Sequence, residues 1–278
     1  MERNEKADLH IHTDCSDGTE PVYEIVRLLK EKGITTASIT DHNSLEAYDQ
    51  LQSFPVSGVK IVPGIEINAF DGESIHILGY NICPFQGKVR DMVHTLRNAY
   101  AKAVSRLGLS LYRQGIIEQD ILRKKNLTRR LLAEILVDKG LCETIECAVT
   151  EYLDYGQNRI APPKKLLVEE VIETILLDGG IPVLAHPGKM KSSGYEERLE
   201  QIKHYKQLGL KGVECFHPDH SETDVMQFVK IAGELGLYIS GGSDFHGLNK
   251  KGIELGCPFV GKWDENILQE FLGVLKSI

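Results

Sequence analysis

The sequence lacks the features of a secreted or membrane protein. Its first residues contain no apolar run between a basic start and a small-residue cleavage site, so we expect no secretory signal. No apolar run approaches the roughly 18 residues needed to cross a bilayer, which argues against a membrane span. The six cysteines form no CxxC pair and no closely spaced framework. Because such frameworks are typical of small secreted domains, we expect a cytoplasmic protein without disulfides.

The sequence also lacks an excess of positive charge. Its 32 lysine and arginine residues are outnumbered by 40 aspartate and glutamate residues, which gives a formal net charge of -8. A protein that grips duplex DNA neutralises many phosphates with basic side chains, so this balance argues against duplex binding. A nucleotide or short oligonucleotide stays compatible with it, because acidic residues that bind divalent cations would lose part of their negative charge.

Short apolar or β-branched segments alternate with helical patterns along the chain. The predicted strands are residues 7–12, 36–40, 60–67, 75–80, 181–185, 212–216 and 238–241. Between the first two, a segment with apolar residues at helical spacing starts after Pro21 and stops at Gly33, which is typical of a helix. Strands that alternate with helices predict an α/β fold with a parallel sheet or barrel.

Residues 87–163 break this alternation. They are rich in leucine, alanine and charged residues at helical spacing, and no convincing strand occurs among them. The segment ends at Pro162 and Pro163, which favour an extended backbone. We therefore expect a barrel built from residues 1–86 and 164–278, with a helical insertion over 87–163 that could act as a lid.

Most of the ten histidines lie within or just after predicted strands. These are His10, His12, His42, His76, His186, His217 and His246. Barrel enzymes build their active sites at the carboxyl ends of their strands, so this placement points to one common site. His94, His204 and His220 fall in helical or loop sequence, where we expect exposed or capping histidines.

The first strand presents two imidazoles on one face. His10 and His12 are two residues apart, so their side chains project to the same side, and a metal could bridge them. Asp14 and Asp17 follow in a glycine-containing turn. For Asp14 we expect a structural role in the turn or as a helix cap. Asp17 has the same structural alternative, but for this residue we favour a ligand role, in which its carboxylate reaches the strand ends.

Other strand ends carry acidic and histidine side chains. Asp41 precedes His42, an arrangement in which a carboxylate can orient a metal-bound imidazole. Glu66 lies in an apolar strand, where an unpaired carboxylate would be costly to bury, so a cation or a buried arginine is needed. His76 and His186 have similar surroundings, although a lone histidine of this kind is more often a hydrogen-bonded core residue than a ligand.

The last predicted strand leads into an acid and an imidazole among glycines. Asp244 and His246 are two positions apart, and the flanking glycines permit a close approach of backbone to ligand. A functional role is favoured here over packing. Each of these signals is modest alone, but together they converge on successive strand ends.

These motifs resemble those of the PHP family, the phosphoesterases grouped with bacterial DNA-polymerase PHP domains and histidinol phosphatases. The resemblance rests on residues 8–12 with Asp17, 40–42, 64–66, 75–80, 185–187, 214–217 and 243–246. It covers essentially the whole chain, including the insertion. It implies a distorted seven-stranded TIM-like β/α barrel that holds a trinuclear metal centre.

The resemblance also implies which residues would hold three divalent ions. The first set is His10, His12, Glu66 and Asp244, the second is Glu66, His76 and His186, and the third is Asp17, His42 and His246. Glu66 would bridge two ions, which explains an acid on an apolar strand. Mixed nitrogen and oxygen donors suit Mn, Fe or Zn. Glu66, Asp244 and His246 are the residues expected to serve catalysis, with His246 or a metal-bound water as the proton donor.

Two further residues are expected to contact the substrate. His217 is outside the ligand sets and would contact the substrate phosphate or a group next to it, the alternative being an ordinary strand-end histidine. Cys215 is expected in the core.

The nearest subgroup of the family, which acts on nucleotides and oligoribonucleotides, carries an Arg-Pro-His stretch whose arginine binds phosphate. Here Arg129 matches that arginine, the Pro and His are replaced, and Arg130 is expected at the surface.

The sequence therefore predicts a metal-dependent phosphoric ester hydrolase for a nucleotide or short oligonucleotide, such as a nucleoside 3',5'-bisphosphate. The expected mechanism is in-line attack on phosphorus by a hydroxide that bridges two metals. A cyclic-phosphate phosphodiesterase or a histidinol-phosphate-type phosphatase would use the same ligands. A non-catalytic metal-binding module is the alternative from another class, but such a module should have lost ligands, and this chain has lost none.

Overall fold

The computed structural model of the protein describes residues 6–124, 127–192, 194–256 and 267–277. The chain divides into two compact units, one made of Met1–Val93 and Lys165–Ile278 and the other of His94–Lys164. Cys257 lies outside the described residues, and the other five cysteines are free thiols. Within the described ranges, no helix combines the length and the apolar character needed to cross a membrane.

The first unit is built on one β-sheet. Its strands are β1 (Ala7–Ile11), β2 (Thr36–Ile39), β3 (Lys60–Phe70), β4 (Ser74–Tyr80), β5 (Leu166–Leu167), β6 (Ile181–Leu184), β7 (Gly212–Phe216) and β8 (Tyr238–Gly241). They follow the order β1-β2-β3-β4-β6-β7-β8, and the two-residue β5 pairs with β3. A parallel bridge between Ile11 and Phe245 brings the two ends of the sheet together. The sheet is thus a nearly closed barrel, and the predicted α/β barrel is confirmed.

Strand β4 departs from the parallel arrangement expected from the sequence. It pairs antiparallel with both β3 and β6, whereas the pairs β1-β2, β2-β3, β6-β7 and β7-β8 are parallel. A short turn, in which the Asp71 N–H donates to the Glu73 carbonyl, connects β3 to β4. Parallel strands need a crossover of about a dozen residues or more, so this turn requires the antiparallel direction. The reversal puts His76, near the start of β4, at the barrel end where the neighbouring parallel strands finish.

The barrel closes at a point where only glycine fits. A Cβ atom on Gly242 would lie 2.4 Å from both the Cβ and the backbone N of His10. Because Gly242 has no side chain, the backbone after β8 runs directly against β1, and the Asp244 N–H donates to the His10 carbonyl at 2.8 Å. The closure of the barrel therefore sets Asp244 beside His10.

Helices connect the strands and form the second unit. They are α1 (Val22–Glu31), α2 (Glu46–Leu51), α3 (Lys88–Arg113), α4 (Gln119–Leu122), α5 (Arg129–Asp138), α6 (Ile145–Glu151), α7 (Val168–Leu177), α8 (Tyr195–Gln207), α9 (Glu222–Leu235) and α10 (Gln269–Val274). Helix α1 buries Val22, Ile25, Val26 and Leu29 on one face, as its apolar spacing predicts. Two 3-10 turns, Pro187–Lys189 after β6 and Gly247–Asn249 after β8, lead the chain away from the barrel end.

Each unit has its own hydrophobic core. The barrel core contains residues from every main strand, among them Leu9, Ile39 and Ile65. The second unit packs Leu107 of α3 and Leu132 of α5 into a separate core. Each core is assembled from residues of one unit. The residues that position the candidate site belong to the barrel unit.

Candidate metal centre

The nine residues predicted as metal ligands form one cluster at the barrel end. They are His10, His12, Asp17, His42, Glu66, His76, His186, Asp244 and His246, and each has a donor atom within 4 Å of another member. The cluster contains six imidazoles and three carboxylates. Such a mixture of nitrogen and oxygen donors is typical of sites for divalent transition metals.

Glu66 is the centre of this cluster, and its side chain is almost completely buried. Its Oε2 atom lies 3.2 Å from Nε2 of both His10 and His12. Its Oε1 atom lies 2.8 Å from Nδ1 of His76 and 2.9 Å from Nε2 of His186. The two oxygens therefore face different sets of imidazoles, as the bridging role implied by the family resemblance requires.

One set of four donors has the spacing of a tetrahedral metal site. Nε2 of His10 and Nε2 of His12 are 3.1 Å apart, and Glu66 Oε2 is 3.2 Å from each. Asp244 Oδ1 is 3.4 Å from the His10 nitrogen and 3.3 Å from the His12 nitrogen. Donors at about 2.0–2.1 Å from a tetrahedral ion are about 3.3 Å from one another. Five of the six separations among these donors therefore match a tetrahedral metal site, and all four atoms lie within 4.8 Å of one another.

A second group of donors lies on the other side of His12. His246 Nε2 is 3.2 Å from Asp17 Oδ1, and His42 Nε2 is 3.9 Å from Asp17 Oδ2. The donor atoms of His12, Asp17, His42 and His246 all lie within 4.8 Å of one another. His42 also joins Glu66 and His76 in a further group, so it lies between the predicted second and third ligand sets.

Two buried ring nitrogens in this region have no hydrogen-bond partner. They are Nδ1 of His12 and Nδ1 of His42. The His42 atom lies 3.1 Å from Glu66 Oε2, but not in hydrogen-bonding geometry. A buried polar atom without a partner is unfavourable, and a cation nearby would relieve the cost. This supports the fit of the donor set to metal ions.

The carboxylates of the cluster are held in the ionised form. Burial opposes ionisation of Glu66, but the imidazoles of His42 and His10 hold its pKa well below the usual range. Burial likewise opposes ionisation of Asp244, and His10 and His12 lower its pKa. Burial would also lower the pKa of His12, yet these carboxylates raise it to about 9. The carboxylates thus stabilise positive charge at His12, whereas burial lowers the pKa of His42 to about 4.

Glu214 supports the cluster, a role that was not expected from the sequence. Its Oε1 accepts a hydrogen bond from Nδ1–H of His10 at 2.8 Å, and its Oε2 accepts from the His186 N–H at 2.7 Å. The bond to Nδ1 leaves Nε2 as the His10 ring nitrogen that faces the donor set. The available signal was an acidic residue on an apolar strand, the same signal that pointed to Glu66.

Asp8 joins β1 to the loop after β8, which was also not expected from the sequence. Its carboxylate accepts hydrogen bonds from the N–H and the hydroxyl of Ser243 at 2.9 and 2.6 Å, and from the Gly256 N–H at 2.8 Å. Ser243 immediately precedes Asp244. Asp8 therefore holds the backbone that carries Asp244.

Two expectations from the sequence are wrong. Asp41 does not orient His42, because its carboxylate accepts hydrogen bonds from the N–H and hydroxyl of Thr13, both at 2.7 Å, and from Ser16. It fixes the turn that carries Asp17 instead. His220 is neither exposed nor a cap, because its side chain is buried between the Cys215 carbonyl and the Gly188 N–H.

His217 is fully buried behind Asp244. Its Nδ1 accepts a hydrogen bond from the Asp219 N–H at 3.0 Å, so its hydrogen lies on Nε2, which donates to Asp244 Oδ2 at 3.0 Å. This arrangement orients Asp244, and the contact between His217 and a substrate phosphate stays a prediction. Cys215 is buried as expected, and burial raises the pKa of its thiol well above the usual value.

Two of the predicted ligands have left-handed backbone conformations, with φ of 26° for His186 and 51° for Asp244. Residues other than glycine adopt this region uncommonly, and strained positions of about 1–3 kcal/mol persist only where the surroundings hold them. Here the His186 N–H is held by Glu214 and the Asp244 N–H by the His10 carbonyl. Such strain is typical of functional sites.

Arg129 and Arg130 belong to the second unit. The Arg129 Nε and Nη2 atoms donate to the Leu153 carbonyl at 3.1 and 2.8 Å, and the guanidinium lies 4.9 Å from the centre of the Tyr155 ring. Arg130 is exposed and pairs with Glu134. Arg129 therefore fastens α5 to the segment after α6, and its predicted role in phosphate binding stays a prediction.

The chain is similar in sequence to a known protein family and to characterised relatives. The family model described as the PHP domain matches residues 8–219. The 5'-3' exoribonuclease of Escherichia coli is 29% identical over 253 residues, covering 86% of this chain and 84% of the relative. The 3',5'-nucleoside bisphosphate phosphatase of Chromobacterium violaceum is 26% identical over 258 residues, covering 90% of each.

A solved structure shows the same fold. A protein from Bifidobacterium adolescentis, classified as a metal-dependent phosphoesterase, superimposes with a TM-score of 0.73 and 26% identity, over 97% of this chain and 96% of that one. The predicted enzyme class, a metal-dependent phosphoric ester hydrolase, is thereby confirmed. With the family model matching well over half of its length, this chain belongs to the PHP domain family.

Proposed function

We propose that this enzyme hydrolyses a phosphate ester of a nucleotide or short oligonucleotide, such as a nucleoside 3',5'-bisphosphate. The observation that carries the proposal is the convergence of four donors, from His10, His12, Glu66 and Asp244, with five of their six separations at 3.1 to 3.4 Å. The relatives named for a nucleoside bisphosphate and for RNA support the substrate class.

Three divalent ions, Mn, Fe or Zn, are proposed as the cofactors. His10, His12, Glu66 and Asp244 would hold one ion, Glu66, His76 and His186 the second, and Asp17, His42 and His246 the third. When bound, such ions supply an activated water at neutral pH and neutralise charge on phosphoryl oxygens. The mixed donors do not select one metal, so the metal is to be measured.

The protein's own groups would keep this centre in place during the reaction. Glu214 and His217 fix the rings and carboxylates from behind, so the donor atoms need not reorganise. The Nδ1–H of His246 donates to the Asp244 carbonyl at 2.8 Å, so Nε2 is the atom that would contact an ion or transfer a proton. No covalent intermediate is required, because Cys215 is buried and its raised pKa disfavours the thiolate.

Retention of all nine ligand residues supports catalysis over a purely binding role. A non-catalytic module would have no need to keep each of the six imidazoles in contact with Glu66 or Asp17. We further propose that the substrate is a mononucleotide or short single strand, not duplex DNA, and that the enzyme works in the cytoplasm. The net charge of -8 and the free thiols are consistent with both statements.

The test is metal analysis of the purified protein followed by a panel of substrates. The panel holds adenosine 3',5'-bisphosphate, a 5'-phosphorylated oligoribonucleotide, a phosphoribosyl cyclic phosphate and histidinol phosphate. We expect bound divalent metal and the highest kcat/KM on one of the first two. Highest turnover of the cyclic phosphate or of histidinol phosphate would replace this substrate class with the corresponding alternative. Metal-loaded protein that cleaved none of the four would contradict the proposal.

A further inference from the structure

Two lysines contact Oδ2 of Asp244, the carboxylate oxygen that is not part of the donor set. Its Oδ1 atom faces Nε2 of His10 and His12 at 3.4 and 3.3 Å. Its Oδ2 atom lies 2.9 Å from Nζ of Lys250 and 3.3 Å from Nζ of Lys189. One oxygen of this carboxylate therefore belongs to the metal donor set, and the other is shared by a pair of ammonium groups and Nε2–H of His217.

Asp219 bridges the same two lysines. Its Oδ2 atom lies 3.1 Å from Nζ of Lys189 and 3.1 Å from Nζ of Lys250. His217, Asp219 and Asp244 also have the spacing of a cation site. However, the two ammonium groups already place positive charge on these carboxylates, so a further metal ion would have to displace both lysines.

The lysine pair can be reached from solvent. Lys189 ends the 3-10 turn after His186, and Lys250 follows the 3-10 turn after His246. The Lys189 side chain is 44% exposed and the Lys250 side chain 24%, whereas Asp244 is only 5% exposed. The ammonium groups are thus on side chains more exposed to solvent than Asp244, so an anionic substrate can reach them.

The charge balance favours an anion at this place. A cation held at the Oδ1 side would compensate most of the charge of Asp244, leaving two ammonium groups with Asp219 as their main partner. Lysine binds phosphate as a compact point charge with three donors. The reacting phosphate must approach the donor set on the Oδ1 side, so an anion at the lysines would be a different group of the substrate.

Resting on the proposed phosphoesterase function, we propose that Lys189 and Lys250 bind a second phosphate of the substrate, one that is not hydrolysed. Asp219 occupies this position as an internal anion until the substrate enters and displaces it. The preferred substrates are then phosphate esters that carry two phosphate groups, and esters with a single phosphate are bound more weakly. Specificity for the second phosphate resides in the barrel unit.

The kinetic test compares adenosine 3',5'-bisphosphate with adenosine 3'-monophosphate and adenosine 5'-monophosphate as substrates of the metal-loaded enzyme. Lys189→Met and Lys250→Met should each lower kcat/KM for the bisphosphate about ten-fold or more, the effect of one lost charged hydrogen bond. They should lower kcat/KM for the hydrolysed monophosphate much less, because that substrate has no second phosphate to lose its partner. Lys251→Met, at the exposed neighbouring position, is the matched control and should leave all substrates unaffected.

A binding test does not depend on turnover. Calorimetric binding of a non-hydrolysable bisphosphonate analogue of adenosine 3',5'-bisphosphate to metal-loaded protein should weaken in both lysine variants, because each has lost one ammonium group of the pair. It should tighten in Asp219→Asn, since the internal anion is neutralised while its size is kept. Weaker binding in Asp219→Asn would show that Asp219 only holds the lysines in place, and would overturn the displacement.

Other outcomes would overturn the proposal as a whole. Equal losses on bisphosphate and monophosphate, or loss of bound metal in the lysine variants, would mean that the lysines serve Asp244 or the reacting phosphate. Unchanged kinetics and binding would make them ordinary surface lysines. If the wild-type enzyme hydrolysed no phosphate ester, the proposed function would fail, while the calorimetric comparison would still decide whether the lysines bind a bisphosphate.

Discussion

Glu214 Oε1 lies 2.8 Å from Nδ1 of His10, on the side of the ring opposite to the metal donor set, and both side chains are completely buried. Burial opposes ionisation of Glu214, but His10 lowers its pKa to about 2, so the carboxylate stays charged. The pair fixes the His10 tautomer, because a carboxylate can only accept and Nδ1 must carry the hydrogen. Nε2 is thereby the ring nitrogen left to bind a metal, which must displace any proton that it carries.

Glu214→Gln should therefore weaken metal binding about 10- to 100-fold while the protein stays folded. The amide has one acceptor oxygen and cannot accept from both the His10 ring and the His186 N–H. Metal affinity is measured by competition with a chelator, and Glu196→Gln on the exposed first turn of α8 is the control. Affinity equal to that of the control would show that Glu214 does not position His10.

Glu66→Gln should remove metal and activity together. Its two oxygens face separate sets of imidazoles, and a neutral amide with one oxygen cannot balance two cations. Metal content and kcat/KM are measured on the same preparation, with circular dichroism as the check of folding. A variant that kept both its metal and its rate would make Glu66 a structural acid.

The cluster members differ in how far the sequence alone could predict them. Residue types and alternation along strands indicated His10, His12, Asp244 and His246, whereas the complete set of nine ligands was implied by the resemblance to the PHP family. The seven main strands were predicted from short apolar or β-branched segments. The direction of β4 was not, although the short connection between Phe70 and Ser74 was a usable signal.

Contacts between distant parts of the chain could not be predicted in this way. Asp8 and Ser243 are 235 residues apart, and nothing in either local pattern indicates that they pair. The same holds for Glu214 with His10, and for Lys189 and Lys250 with Asp244. Periodicity reports which face a side chain is on, whereas the partner on the next strand depends on the closure of the barrel.

The pKa of His12 predicts opposite effects of pH on stability and on metal binding. Burial would lower this pKa, but Asp244 and Glu66 raise it from 6.5 to about 9. The proton on His12 stabilises the folded metal-free protein fully below pH 6.5, and this contribution is lost as the pH rises through 9. Metal affinity should rise over the same interval, because the ligand must be neutral.

Urea unfolding of chelator-treated protein at pH 6.5, 7.5 and 9 tests the first effect, with His12→Gln as the variant that should lack it. Calorimetric titration with Mn at the same pH values tests the second and should show proton release. A metal-free protein whose unfolding free energy did not fall between pH 6.5 and 9, relative to His12→Gln, would contradict the raised pKa.

Arg129→Lys should destabilise the second unit by about 1–3 kcal/mol, because lysine cannot make the two bonds to the Leu153 carbonyl together with the stacking on Tyr155. Arg130→Lys, at the exposed neighbouring position, should change stability little. Thermal unfolding of both variants is the measurement. Equal midpoints would show that the Arg129 contacts contribute nothing.

The same variants test the predicted phosphate contact of Arg129 at a temperature where both are folded. If Arg129 also grips the substrate, Arg129→Lys should lower kcat/KM about ten-fold or more, or about 1.4 kcal/mol of transition-state stabilisation. Arg130→Lys should not. Negligible effects of both on the best substrate would limit Arg129 to its structural role.

The most direct test of the metal centre is a titration of chelator-treated enzyme with Mn, following bound metal and hydrolysis of adenosine 3',5'-bisphosphate in the same sample. The proposed nucleophile is available at neutral pH only with metal present, so activity should be absent without metal and should rise with occupancy of the cluster. Undiminished turnover by protein shown to be free of metal would contradict the role assigned to the nine ligands.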